Sequence, residues 1–128
     1  MHIDVGFLEF WTERHLATLT TLRPDGTPHV VPVGVTLDAA ASVARVICSG
    51  DSAKARHVKA AGEAGLPVAV CQVDGRRWST LEGRAVVRDA PADVREAERR
   101  YARRYRQPRE NPRRVVLEIT VTRVLGNA

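Results

Sequence analysis

Aromatic side chains are scarce in this chain: Phe, Trp and Tyr together make up 5% of its 128 residues. Stacking platforms for unpaired bases need more of them, and no recognised nucleic-acid motif is present, so a nucleic-acid partner is not favoured. There are two cysteines, Cys48 and Cys71, far apart and in no metal or redox motif. They read as reduced thiols inside strands of a cytoplasmic protein. No apolar run approaches the ~20 residues needed to span a bilayer, so no membrane partner is expected. The opening segment MHIDVGFLEFWTERH lacks a basic start followed by an apolar stretch, which argues against a secretion signal. His15, His29 and His57 show no metal-ligand spacing, no paired carboxylates stand out, and no Ser-His-Asp set is recognisable. Neither a metal site nor a side-chain catalytic set is therefore expected.

What is present is an ordinary globular balance, 44% hydrophobic and 27% charged. The length suits one domain spanning residues 1–128, which buries roughly two-thirds of its unfolded surface. The net charge is +5 and the excess is mostly arginine, with nine arginines between Arg95 and Arg114. Such asymmetry suggests an anionic partner bearing phosphates or carboxylates.

The pattern along the chain predicts a short helix, three strands, a helix, two strands, a helix and a last strand. Asp4 to Glu13 places Val5, Leu8 and Trp11 on one helical face, with Asp4 as N-cap. Arg14 to Arg23 is a strand ending at Pro24-Asp25-Gly26, which is turn chemistry. Pro28 to Leu37 pairs back as a hairpin, with Val31, Val33, Val35 and Leu37 on one face and Pro32 and Gly34 on the other. Proline cannot donate to a ladder and glycine has nothing to pack. That second face is either an edge with a bulge or a surface kept flat for something to lie against. Val43 to Ser49 is a third strand, and Asp51 or Ser52 caps a helix from Ala53 to Ala61.

Leu66 to Val73 is nearly continuous in apolar residues and is expected to be central and covered on both faces. Asp74-Gly75 is a tight-turn signal, and Arg77 to Arg88 returns with a bulge or corner at Gly83. Pro91 to Arg106 is a helix with the apolar stripe Val94, Ala97, Tyr101 and Tyr105. QPRENP breaks it, and Arg114 to Leu125 is the last strand. Six strands in meander order with few helices suit a closed or nearly closed antiparallel barrel, the alternative being an open α+β sheet.

The segment Cys48-Ser49-Gly50-Asp51-Ser52-Ala53-Lys54 is the most informative local feature. A strand ends, the chain turns, and a capped helix begins. Its unpaired amides, two hydroxyls and one ammonium would make a phosphate cradle, although Ser or Asp before a helix is often only a cap. Trp78, just after the tight turn, can stack on a planar ligand or fill a subunit contact.

Together RHLATLTTLRPDGTPHVVPVGVTLD, ARVICSGDSAKARHV, VAVCQVDGRRWSTLEGRAVV and RYARRYRQPRENPRRVVLEITVTRVLG resemble the pyridoxamine 5′-phosphate oxidase-like split β-barrel superfamily. Within it, WSTLEGRA and YARRYRQPRENPRRVV resemble the deazaflavin-dependent oxidoreductases of the B group, and among these the F420-dependent biliverdin reductases. The resemblance implies a mainly β, six-stranded antiparallel split barrel of the FMN-binding type. It implies a homodimer with two cofactor sites at the interface and coenzyme F420 as cofactor, with FMN as the alternative. The cofactor phosphate maps to Ser49, Ser52 and Lys54, the flat ring to the backbone of Val31, Pro32, Val33 and Gly34, and the region between to Cys48. Trp78 maps to the partner's closing surface. Arg76, Arg77, Arg113 and Arg114 are candidates for the cofactor's glutamate tail or for substrate carboxylates. Some FMN-using members have an Arg-Lys pair at this helix start; here Ala53 precedes Lys54. The activity implied is hydride transfer from reduced F420 to a small conjugated acceptor such as biliverdin. The other readings are an FMN-binding oxidoreductase or carrier, and a non-enzymatic anion- or nucleic-acid-binding module.

Overall fold

The computed structural model describes residues 3–128. Helices α1 (Val5–Thr12), α2 (Ala53–Ala60) and α3 (Pro91–Arg104) flank one antiparallel sheet. Its strands are β1 (Ala17–Leu22), β2 (Pro28–Val33), β3 (Val35–Asp38), β4 (Val43–Ser49), β5 (Leu66–Asp74), β6 (Arg77–Arg88) and β7 (Arg114–Gly126). Among the described residues, no helix is long and apolar enough to cross a membrane.

The strands pair in the order β2-β1-β5-β6-β7-β4-β3. The two end members are consecutive in the chain and parted only by Gly34. The sheet therefore curls until its edges meet at one residue, which makes it a mainly β split barrel. Six expected strands become seven segments because the Pro28–Leu37 strand changes partner midway. Pro28–Val33 pairs with β1, and Val35–Asp38 pairs with β4. A Cβ at Gly34 would lie 2.8 Å from the Tyr101 ring and 3.2 Å from the Tyr105 ring. Helix α3 closes on this strand only because no side chain stands between them. The expected irregularity at Gly83 is a register shift between Glu82 and Gly83, where a Cβ would be 2.0 Å from the Thr120 carbonyl oxygen of β7.

The core fills the barrel. Leu19, Val46, Val70, Leu81, Leu117 and Ile119 converge on its inside, and Ala55 and Val58 of α2 join them. Helix α1 contributes differently from its predicted face. Phe10 and Trp11 are buried, whereas Val5 and Leu8 are exposed. The helix plugs the barrel with its C-terminal end: the Trp11 indole donates to Ser79 Oγ at 2.8 Å, and Gln72 Nε2 donates to the Phe10 carbonyl at 2.9 Å. Its N-terminal turn projects past the core, so of the predicted stripe only Trp11 is buried, together with Phe10 beside it.

Strand β5 is central, between β1 and β6. Its two-sided coverage is not found within one chain. Val68, Val70 and Gln72 point inward and are buried, but Pro67 and Val73 on the outer face are exposed. A curled antiparallel sheet has one inner face, and a single chain has nothing to lay on the other.

Helix α2 sits on the β1–β2 hairpin through a histidine pair. The Thr21 hydroxyl and His57 Nδ1 are 2.9 Å apart, and the His29 and His57 rings meet edge-to-face at 5.1 Å. Burial first, then His29, Arg23 and Arg56, hold the His57 imidazole below its ordinary value. The unfolded chain therefore binds this proton more readily, and stability falls as pH drops below the unfolded value near 6.5. Urea midpoints measured between pH 8 and pH 5.5 should fall more steeply for the native chain than for His57→Gln. Equal slopes would remove His57 from the account.

Candidate functional site

The β3–β4 ladder stops at Val35↔Val46. Beyond it β2 and β4 part, and β2 is left as an edge strand with β1 as its neighbour. The split is a cavity of about 550 Å³. Pro32, Val33 and Gly34 line one side of it, and Ile47, Cys48 and Ser49 the other. Ser52 and Lys54 come from the start of α2, Tyr101 from α3, and Arg106, Gln107, Pro108, Arg109, Asn111 and Arg114 from the segment after it.

The α2 start is built for an anion. Ser52, not Asp51, is the cap: its hydroxyl accepts from the Ala55 amide at 3.4 Å and donates to the Ser49 carbonyl at 2.7 Å. Among the described residues, nothing accepts from the Ala53 and Lys54 amides, and Lys54 makes no ion pair. Asp51 is turned away from the cavity. It accepts from Ser49 Oγ at 2.6 Å and from Arg113 at 3.1 Å, and the Ser49 hydrogen bond is the largest cause of its lowered carboxyl pKa. Burial pushes the Cys48 thiol up despite the hydroxyl of Ser52 and the charge of Lys54, so it stays protonated at neutral pH.

Among the described residues, no carboxylate lines this cavity. Four cations do, and Arg114 is already committed to Glu98 at 2.6 Å and to the Arg109 carbonyl. Lys54, Arg106 and Arg109 have no acidic partner among the described residues. The cleft is thus positive, with an unpaired strand edge beside it. A phosphate fits the free amides and the ammonium at one place, the Ser49 and Ser52 protons being held by Asp51 and the Ser49 carbonyl until they turn to it, and a flat polar ring fits the strand backbone at another.

Of the residues singled out from sequence, Pro32, Val33, Gly34, Cys48, Ser49, Ser52, Lys54 and Arg114 meet in this one cavity. Val31 instead packs against the barrel core. Trp78 is the second residue of β6, half-exposed, its amide donating to Asn127. Arg76 in the β5–β6 turn and Arg77 at the start of β6 lie outside the cavity, and Arg113 is tied to Asp51. Arg77 grips Glu13 through two hydrogen bonds and Asp74 through a third. Hydrogen bonds from Arg77 and His15 draw the Glu13 carboxyl down to about 2. Glu13, His15 and Asp74 bring their ligand atoms within 4.8 Å of one another, but the Arg77 guanidinium already supplies the positive charge, so this is an ion-pair cluster. Tyr101, Arg106, Arg109 and Asn111 were not named one by one as site residues, although they belong to the stretch YARRYRQPRENPRR, whose arginines suit carboxylates or phosphates; no local rule could say which of its side chains face the cleft.

A family model described as pyridoxamine 5′-phosphate oxidase matches residues 6–128. The chain belongs to the pyridoxamine 5′-phosphate oxidase family. It is 57% identical over 121 residues to the F420H(2)-dependent biliverdin reductase of Mycobacterium tuberculosis (strain CDC 1551 / Oshkosh), covering 94% of this chain and 85% of that one. A conserved hypothetical protein of Mycobacterium tuberculosis shares the fold with a TM-score of 0.79 at 19% identity, over 98% of this chain and 84% of its own. A structure named F420 reductase matches with a TM-score of 0.73 at 23% identity, over 96% and 98% of the two chains. These two likenesses show the shared fold.

Proposed function

We propose that the protein is an F420-dependent reductase acting on a conjugated acceptor, with a biliverdin-type tetrapyrrole as first choice. One observation carries the reading: a phosphate-type cradle and an unpaired strand edge open into the same carboxylate-free cavity. The name of the 57%-identical relative supports the deazaflavin over FMN.

Lys54, Ser49, Ser52 and the first amides of α2 would hold the phosphate. The backbone from Val31 to Gly34 would carry the ring, with Cys48 as a neutral wall between. Arg109 lines the same cleft with no acidic partner among the described residues and suits a carboxylate-rich tail, whereas Arg114 is held by Glu98. When bound, reduced F420 supplies a hydride; water supplies the proton that completes the two-electron reduction. The chain's own residues bind and orient, and none acts as acid or base.

The outer sheet face supports self-association into a homodimer. Val30 is 56% and Val73 63% exposed, with Leu22, Trp78 and Leu125 also open. A second copy on that face would cover β5 and bring Trp78 toward the neighbouring cofactor. Light scattering after size exclusion should give twice the chain mass at micromolar concentration. A monomer with full activity would remove the shared-site arrangement.

The deciding experiment titrates the purified protein with F420 and with FMN, then follows oxidation of reduced F420 on adding biliverdin. F420 binding with biliverdin-dependent oxidation is the expected result. Binding of FMN alone would favour the flavin reading. Salt-dependent DNA binding without either cofactor would favour the anion-binding module.

A further inference from the structure

We propose that a second cavity, beside the cleft, seats the electron acceptor and selects flat conjugated molecules that carry carboxylates. This deepens the reductase reading and rests on it.

The cavity measures about 480 Å³ and is lined by Arg14, His15, Leu16, Tyr101, Tyr105 and Arg106. It shares Tyr101 and Arg106 with the cleft. The two are joined at Gly34, where both tyrosine rings come within 3.2 Å of the missing Cβ. The register Ala17↔Val33 sets Leu16, the next residue back, beside the same end of β2. A ring resting on the Pro32–Gly34 backbone would therefore lie next to this second space.

Its walls suit a planar apolar body. The Tyr101 and Tyr105 rings pack with centroids 4.9 Å apart and planes tilted by 34°. The Tyr105 hydroxyl is fully used, donating to the His15 carbonyl at 2.6 Å and accepting from the Val35 amide at 3.1 Å. It pins the ring between Tyr101 and the Arg104 guanidinium, which lies 5.2 Å from its centroid, so the rings line the cavity as a fixed wall. Leu16 is 66% exposed, a large apolar side chain with no cover.

Its charges suit carboxylates. Arg77, Arg88, Arg99, Arg100, Arg113 and Arg114 each hold an acidic partner. Arg14 and Arg106 hold none among the described residues. The nearby carboxylate of Glu13 is bound by Arg77 and by the His15 imidazole, which leaves both cavity guanidiniums free. Two free guanidiniums flanking an aromatic wall recognise a conjugated molecule with one or two carboxylates.

The test uses Arg14, which lines this cavity and not the cleft, and Leu16; both are exposed, so their variants should keep the native thermal midpoint. Biliverdin and its dimethyl ester are titrated into the cofactor-free and the F420-loaded protein, read by the visible absorption of the tetrapyrrole. Arg14→Ala and esterification should each weaken binding about fivefold, and Leu16→Asp should weaken it as well. In turnover, Arg14→Ala should raise KM for biliverdin about fivefold with kcat little changed, and F420 affinity should stay at the native value. If the native protein turns biliverdin over but the variants and the ester bind as tightly, the acceptor sits elsewhere and the reductase reading survives. If F420 does not bind, that reading fails, while the cofactor-free titration still decides the cavity. No biliverdin binding to either form overturns the cavity as its seat and biliverdin as the acceptor, while F420 binding decides the reductase reading separately.

Discussion

Replacing Lys54 by alanine should weaken F420 binding roughly ten- to a hundredfold. The ammonium lies in the cleft beside Ser49 and Ser52, with no acidic partner among the described residues. A hydrogen bond to a charged group contributes about 1.5–3 kcal/mol, and each 1.4 kcal/mol is about tenfold in affinity. Lys54 is a cleaner probe than Ser52, whose hydroxyl also caps α2 and costs about 1 kcal/mol of helix stability when removed. Fluorescence titration of F420 against the native chain, Lys54→Ala and Lys54→Arg measures the effect, with arginine restoring part of it. Equal affinities across the three would place the phosphate away from α2.

The largest stability effect should come from Trp11→Ala, about 3–5 kcal/mol. The side chain is 2% exposed and packs with the barrel core. Its removal also leaves the buried Ser79 hydroxyl without the indole donor. The loss should reach the site, because the α1 terminus and α3 are coupled. Arg104 of α3 donates to the Glu13 carbonyl just after α1 and to Gln72 of β5, and its guanidinium lies 5.6 Å from the Trp11 ring. Loosening α1 therefore loosens the helix that carries Tyr101. Urea unfolding quantifies the change, and Trp11→Phe separates the lost volume from the lost indole hydrogen bond. A cost below about 1 kcal/mol would show that α1 lies on the surface of the barrel rather than plugging it.

Much of the fold was legible in short stretches. Pro24-Asp25-Gly26 and Asp74-Gly75 turn the chain between paired strands as their chemistry dictates. Strand β6 runs from Arg77 to Arg88 with its irregularity at Gly83. The step from Ser49 to Lys54 is a strand end followed by a serine-capped helix. Each depends on a residue's own backbone preference or on partners a few positions away, which is information a linear chain carries.

Other features needed the closed barrel. Gly34 read as a flat or bulged position, yet it is where one strand leaves β1 for β4 and where α3 packs down. Val5, Leu8 and Trp11 share a helical face, but the barrel mouth takes Trp11 together with Phe10. The arginines differ little in sequence context. Arg77 is consumed by Glu13, 64 positions away, while Arg14 and Arg106 are left free. Sequence by itself determined the turns and most of the strands, because those follow from local torsional preference and side-chain period, and it carried the family through the resemblance of its segments. Only the tertiary structure decided which charges are neutralised and which cavities open, because both depend on groups that meet across dozens of residues once the sheet has curled.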